Sequence, residues 1–531
     1  MDCNKTTACL VFLYAAGWIS LSGPLFGYGQ SWPMVGANPQ QNGYYEATIP
    51  AQPASRIHAE TISLPWQTSG ADGLIGDVLG NGRYQWISCK DTAPFEIHLY
   101  DPATSSFQVF PLLRSLPSDA TIRAFQLIDY DNLSGLDVLC SIIPKQPNGN
   151  KSTYFVFSPQ SGQVLTQFQG ITGQDQDGDG NWNGSEQPGI AFRATSGSWK
   201  LMSRIGAGHA DYKPRAVTFY DMATGKLEYQ FHVAALPRGI SLTPLPSGDI
   251  QMLIPLHTPA NVIRIDGIPQ VDEHGKAVFV SEIVGGIQTN DSEGYVYCLH
   301  FNDTLPADRQ FSLRWSQKMG ELLSGSSSIL QDTQGRLLGL CSYAMIRAWD
   351  PFSPGRVLVF DMGTGGIVQS YQEGEKISYE TLRADPHSGA IYVKLLETPS
   401  LLKFDLNQSL PVARRDFETN PLVTYSLVGL TDMNRDQRTD VVVMKSSPLG
   451  SELLILDSDF HTHASVAIPL PFFQASIADS DRDGYPECYV LDQVERNKLT
   501  VVEYQAPVDV SDWLQYERTT GKEDAFAIFC E

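Results

Sequence analysis

Basic residues are scarce in this 531-residue chain: 37 Lys and Arg stand against 59 Asp and Glu, a net charge of −22. Binding to a phosphate backbone needs Lys and Arg to displace counterions, so no nucleic-acid partner is expected. Charged residues of both signs are only 18% and apolar ones 42%, which excludes disorder through charge excess. Beyond the first 30 residues no run approaches the roughly 18 consecutive apolar residues of a membrane-spanning helix. Paired cysteines are also lacking. Cys3 and Cys9 fall in the opening apolar segment without a lipobox, and Cys89, Cys140, Cys298, Cys341, Cys488 and Cys530 lie far apart. Most of these sit in strand-like text such as Trp86-Ile87-Ser88-Cys89, which favours buried free thiols over a disulfide scaffold. No Gly-x-Ser-x-Gly elbow, His-Glu-x-x-His, phosphate loop or Cys-x-x-Cys occurs. That speaks against a serine hydrolase, a zinc protease and a nucleotide enzyme.

Gly and Pro are plentiful, at 45 and 33 residues, and favour many short strands over long helices. Residues 1–29 read as a signal peptide: Lys5, opposed by Asp2, then an apolar run from Ala8 to Ile19, then Gly27-Tyr28-Gly29 before Gln30. The alternative is an uncleaved anchor. Export of bacterial type would make the mature chain secreted, periplasmic or held at the cell surface, with no membrane span once the leader is removed. Residues 30–71 then form an N-terminal segment, 72–505 a repeat region and 506–531 a tail.

The repeat is a strand, an Asp-rich loop, a second strand, a third ending in Asp or Ser, a tight turn, and a fourth. Its turn is clearest in Asp221-Met222-Ala223-Thr224-Gly225 and Asp361-Met362-Gly363-Thr364-Gly365, with weaker copies at Asp101, Ser158, Asp405 and Asp457. Asp opens such turns by bonding its own backbone, and Gly supplies the positive φ that closes the hairpin. The intervals between anchors are 57, 63, 140, 44 and 52 residues. The long gap accommodates an irregular unit around 238–317, and a last unit covers Phe473 to Gln505. Four-stranded units of about 40–50 residues repeated this often indicate an all-β fold: a single β-propeller of antiparallel sheets. The count is eight blades, with seven as the alternative. The last unit supplies three clear strands, so its fourth must come from Arg56–Leu64 or from Ala525–Cys530; the first is favoured.

Four segments place oxygen-bearing side chains at alternating positions. They are Asp129, Asp131 and Asp137; Asp175, Asp177, Asp179, Asn181, Asn183 and Glu186; Asp432, Asn434, Asp436 and Asp440; and Asp479, Asp481, Asp483 and Glu487. Alternation curls a short loop so that its oxygens converge, with position seven adding a carbonyl and position nine another side chain. Hard oxygens in this number suit Ca²⁺, at about four sites. The 175–186 loop has the full EF-hand spacing, with Gly180 at position six and Glu186 at twelve, but no helical periodicity flanks it. It reads as an insertion between the second and third blades. A fifth loop, from Asp77, keeps the turn, lacks Asp at position three, has Gln85 at nine, and reads as metal-free.

The strand–Asp-loop–strand units resemble the FG-GAP/VCBS repeats of integrin-α-type propellers. That resemblance implies a loop between the first two strands of a blade that binds Ca²⁺. The opening Trp32-Pro33-Met34-Val35-Gly36-Ala37-Asn38-Pro39-Gln40-Gln41-Asn42-Gly43 resembles the start of exported propellers of the pyrroloquinoline-quinone-like repeat class. Both implications concern the fold, since such families serve many purposes.

His461-Thr462-His463 reads as a solvated loop rather than a zinc site, and His209 as part of a plain connector. Trp86, Trp315 and Trp349 read as fillers between blades, while Trp182 either anchors a ligand or covers its loop. The functional expectation is a monomeric binding or adhesion module that takes an extracellular protein or glycan on loops at one ring face. A calcium-dependent polysaccharide lyase on the same scaffold is the alternative. A quinoprotein dehydrogenase has only the opening motif in its favour.

Overall fold

The computed structural model describes residues 56–505 except 68–72, 91–94, 113–119, 145–150, 172–185, 206–215, 234–235, 238, 258–263, 266–267, 270–280, 285–286, 291–293, 321, 333, 346–354, 373–376, 386, 396–397, 407, 409, 435, 437, 470, 481–484 and 493–495. Residues 1–55, with the expected signal peptide and the opening Trp32–Gly43 motif, and residues 506–531 lie outside it.

Eight four-stranded antiparallel sheets form the ring of an eight-bladed propeller. Blade 1 comprises Leu74–Gly76, Gln85–Lys90, Glu96–Asp101 and Ser106–Pro111. Blade 2 comprises Ala120–Ile128, Asp137–Pro144, Thr153–Ser158 and Gln163–Gln169. Blade 3 spans 186–232, and the irregular blade 4 uses Ser241–Pro244, Ile250–His257, Gly294–Phe301 and Phe311–Gly320. Blades 5 and 6 span 322–372 and 377–416; blades 4 and 5 share one ladder point, where His257 stands opposite Leu323. Blade 7 comprises Thr424–Thr431, Asp440–Ser447, Gly450–Leu456 and Thr462–Ile468.

Blade 8 closes the ring. Its own strands are Phe472–Ala478, Glu487–Asp492 and Lys498–Gln505, and the fourth is Arg56–Ser63 from the other end of the chain. Arg56 stands opposite Gln505 and Ser63 opposite Lys498. Edge strands invite pairing with other chains, and this exchange covers one with the protein's own N-terminal segment.

Burial follows strand position. Second and third strands are sandwiched by neighbouring blades on both faces, so Trp199–Ile205 and Glu487–Asp492 are buried throughout. Outer strands have one wet face, and Ser106–Pro111 and Ala413–Asp416 alternate half-buried with exposed residues. The core therefore lies between blades. Trp86 and Tyr100 of blade 1 cluster with Tyr489, Leu491 and Leu499 of blade 8, and Trp315 of blade 4 stacks on Phe360 of blade 5. Each large side chain so buried contributes roughly 1.5–3 kcal/mol. Cys89, Cys140, Cys298, Cys341 and Cys488 are buried free thiols in these layers. Among the described residues, no helix is long and apolar enough to cross a membrane.

The third-to-fourth-strand turns carry the repeat's chemistry. In blades 3 and 5, Asp221 and Asp361 accept the N–H of Thr224 and Thr364 at 2.9 and 2.8 Å, and Gly225 and Gly365 follow at φ +66° and +74°. In an antiparallel meander these turns share one end of each blade with the first-to-second-strand turns. That end is the turn face; the second-to-third connections and the inter-blade links leave from the opposite link face.

Candidate metal centres on the turn face

First-to-second-strand connections come in two lengths. Blades 3 to 6 use tight turns at 194–198, 245–249, 332–336 and 385–389. Blades 7, 8, 1 and 2 use longer loops at 432–439, 479–486, 77–84 and 129–136. The long loops thus occupy one continuous arc, and blade 8, where the ring closes, lies within it.

Each long loop is tied by the residue that opens the second strand. In blade 7, Asp440 Oδ2 accepts the N–H of Met433 and Asn434 at 3.0 and 3.3 Å. In blade 2, Asp137 Oδ2 accepts those of Tyr130 and Asp131 at 3.1 and 3.3 Å. In blade 8, Glu487 Oε2 accepts that of Ser480 at 2.6 Å. The remaining carboxylates shape the curl. Asp432 Oδ1 accepts the Asp436 N–H at 2.9 Å, Asp436 Oδ1 that of Arg438 at 2.9 Å, and Asp131 Oδ1 that of Leu133 at 3.0 Å.

The loops concentrate negative charge in buried places. Asp440 is fully buried, and desolvation, then repulsion from Asp432 and Asp436, pushes its carboxyl up to about 8. Asp137 is pushed up to about 6 by desolvation and then by Asp131. Desolvation also raises Asp129. Asp440 Oδ1 in blade 7 and Asp129 Oδ1 in blade 2 are sealed from solvent and have no hydrogen-bond donor. Among the described residues, His463 Nε2 lies 3.9 Å from Asp440 Oδ1.

A sealed carboxylate oxygen without a donor is costly, and a hard cation is the ligand that relieves it. In blade 7 the candidate oxygens for such an ion are those of Asp432, Asn434, Asp436 and Asp440, and in blade 2 those of Asp129, Asp131 and Asp137. The ion would neutralise charge that otherwise opposes folding. Among the described residues, no three His, Cys, Asp or Glu side chains converge into a ready-made ligand group. The blade 7 set includes the amide of Asn434, and in blade 8 only Asp479 and Glu487 are described, with Asp481 and Asp483 outside.

Of the EF-hand-like segment, Asp175, Asp177, Asp179, Asn181 and Asn183 lie outside the described residues, as do Trp182, His209 and Trp349. Glu186 opens blade 3 and is fully buried. Its carboxylate accepts the hydroxyls of Thr218 and Tyr220, the latter at 2.8 Å, and the Ile171 N–H at 3.1 Å. Turning it toward an ion would break these bonds. His461 is exposed and its ring Nδ1 lies 2.9 Å from Asp457 Oδ2.

The loops also bond to one another, which spacing along the chain does not reveal. The Tyr84 N–H of blade 1 donates to the Ser480 carbonyl of blade 8 at 3.2 Å, and the Leu136 N–H of blade 2 to the Asp77 carbonyl at 2.8 Å. Thr439 of blade 7 donates to Asp385 of blade 6 at 2.7 Å. Position eight of each of these loops thus grips the preceding blade. Gly80 permits the closest approach: at φ +63°, a Cβ there would lie 2.8 Å from the Ser134 backbone.

No protein-family model matches this sequence, and no curated protein is a significant match. Solved structures do align. BamB from Moraxella catarrhalis is 10% identical with a TM-score of 0.45, covering 85% of this chain and 99% of that one. The Dos1 propeller is 8% identical with a TM-score of 0.47, covering 86% and 96%. A polysaccharide lyase, an ulvan lyase, is 12% identical with a TM-score of 0.40, covering 85% and 99%. Likenesses of this degree leave function to the chain's own residues.

Proposed function

We propose that this chain is an exported, calcium-binding propeller of the FG-GAP/VCBS kind, and that it works as an extracellular binding module for a protein or glycan. The observation that carries the calcium reading is the Asp440 carboxylate. It is fully buried, with one oxygen saturated by two N–H groups, the other without a donor, and Asp432 and Asp436 close enough to repel it. Bound ions would stiffen the arc of blades 7, 8 and 2 around the ring closure. The turn face is spent on loops that grip one another. The link face is then the proposed surface for a ligand.

A screen of glycans, polysaccharides and extracellular proteins, run with calcium and with chelator, tests this reading. Calcium-dependent capture of a ligand supports it. Release of unsaturated sugars from an acidic polysaccharide would replace it with the lyase reading.

A further inference from the structure

The blade 1 loop, 77–85, is folded by the same hydrogen bonds as the blade 7 loop, 432–440. The position-five N–H reaches the position-one carboxylate in both: Asn81 to Asp77 Oδ1 at 3.0 Å, and Asp436 to Asp432 Oδ1 at 2.9 Å. The position-seven N–H reaches the position-five side-chain oxygen: Arg83 to Asn81 Oδ1 at 3.0 Å, and Arg438 to Asp436 Oδ1 at 2.9 Å. Residue nine takes the N–H of positions two and three in both, with Gln85 Oε1 accepting from Val78 and Leu79 at 3.1 and 3.3 Å. Apart from position three, Leu79 against Asn434, the two loops part at residue nine. Asp440 presents a second oxygen that has no donor, whereas Gln85 presents an amide nitrogen. That nitrogen donates to Asn81 Oδ1 at 3.2 Å and to the Arg83 carbonyl at 2.7 Å, the position-five side chain and position-seven carbonyl that a calcium loop turns toward its ion. The orientation of the amide is fixed by its partners, since two N–H groups require an oxygen on one side and two oxygens require an NH₂ on the other.

We infer that Gln85 is a built-in substitute for the cation, its fully buried amide nitrogen doing in the blade 1 loop what an ion does in the acidic loops. An amide NH₂ offers two donors to oxygens that would otherwise face each other unshielded, and it cannot be chelated away. The placement gives this a consequence. Through Tyr84 and Leu136 the blade 1 loop is bonded to the loops of both neighbours, blades 8 and 2. The closure therefore keeps one loop that is indifferent to calcium between two that depend on it. This inference rests on the reading of the acidic loops as calcium sites.

Gln85→Glu tests it, because the substitution preserves shape and the accepting oxygen and exchanges only the NH₂ for a second carboxylate oxygen, as Glu487 has at the same position in blade 8. Parent and variant are melted in chelator and in calcium, and bound calcium is counted by elemental analysis. The variant is expected to melt several degrees below the parent in chelator, to recover in calcium, and to carry one more ion per chain. Equal melting in chelator, or no added ion, overturns the inference. In the parent, amide exchange in chelator supplies a measurement that needs no variant. Val78, Leu79 and Arg83 should stay protected while Met433, Asn434 and Arg438 lose protection, and loss at both loops together also overturns it. A parent that binds no ion beside a variant that binds one defeats the calcium reading of the acidic loops and spares Gln85. A parent that binds ions beside a variant that adds none defeats Gln85 alone.

Discussion

Asp440→Asn should stabilise the protein in chelator and destabilise it in calcium. Without metal the folded carboxyl titrates at about 8, against 3.8 for the free side chain. At pH 7 the unfolded chain is therefore ionised while the folded one holds a proton. Some three pH units at about 1.4 kcal/mol each put the cost near 4 kcal/mol if the loop stays shut. Opening of the loop to water recovers part of this, so removing the acid should return about 1–3 kcal/mol. Asn keeps an oxygen for the Met433 and Asn434 N–H groups and aims its NH₂ at Asp432 and Asp436. In calcium the order inverts, because the variant has lost a ligand of an ion worth roughly 2.7 kcal/mol at a hundredfold excess over Kd. Thermal melting of both proteins by circular dichroism, at pH 7 in chelator and in saturating calcium, reads the crossing. The same ranking in both buffers would refute the electrostatic argument.

Three other outcomes follow from the same physics. Asp137 and Asp440 are acids with raised folded values, about 6 and about 8, so the proton-bound fold is favoured below the free value of 3.8. That stability is lost as pH climbs through those values; in chelator the melting temperature should fall from pH 5 to pH 8.5, and calcium should flatten the decline. Lys200 is buried in blade 3 and bridges Asp221 and Glu228, both at 2.9 Å. Lys200→Met strands two carboxylates and should cost about 3 kcal/mol in denaturant titration, with no rescue by calcium. Glu186→Gln should leave the number of bound ions unchanged because its oxygens are already committed to Thr218, Tyr220 and Ile171. An ion lost with that substitution would show the side chain turning outward to its loop.

The repeat is legible because some of its turns obey local chemistry: an Asp that bonds its own backbone and a Gly at positive φ close the third-to-fourth-strand turns of blades 3 and 5, at Asp221-Gly225 and Asp361-Gly365, whereas Ser105 and Phe460 take the positive φ in blades 1 and 7. Blade 4 shows only as a gap, since the 258–293 connection separates its second and third strands. Acidic spacing at 129–137 and 432–440 marks the loops, but counting oxygens does not show which are sealed or which carboxylate bears the strain. Gln85 illustrates the limit. A count of ligands registers it as a missing acid, whereas its donors give it a part to play, and those become visible only when Asn81 and Arg83 are seen around it. The contiguity of the long loops and the bonds from Tyr84 to Ser480 and from Leu136 to Asp77 depend on ring order, with chain ends far apart in sequence brought together.

The most direct test counts metal. After dialysis against trace-metal buffer containing calcium, elemental analysis should find ions bound to the parent chain, with Asp440→Ala and Asp481→Ala each removing one. A parent free of calcium, or a content that neither substitution changes, would contradict the claim that these loops close around ions.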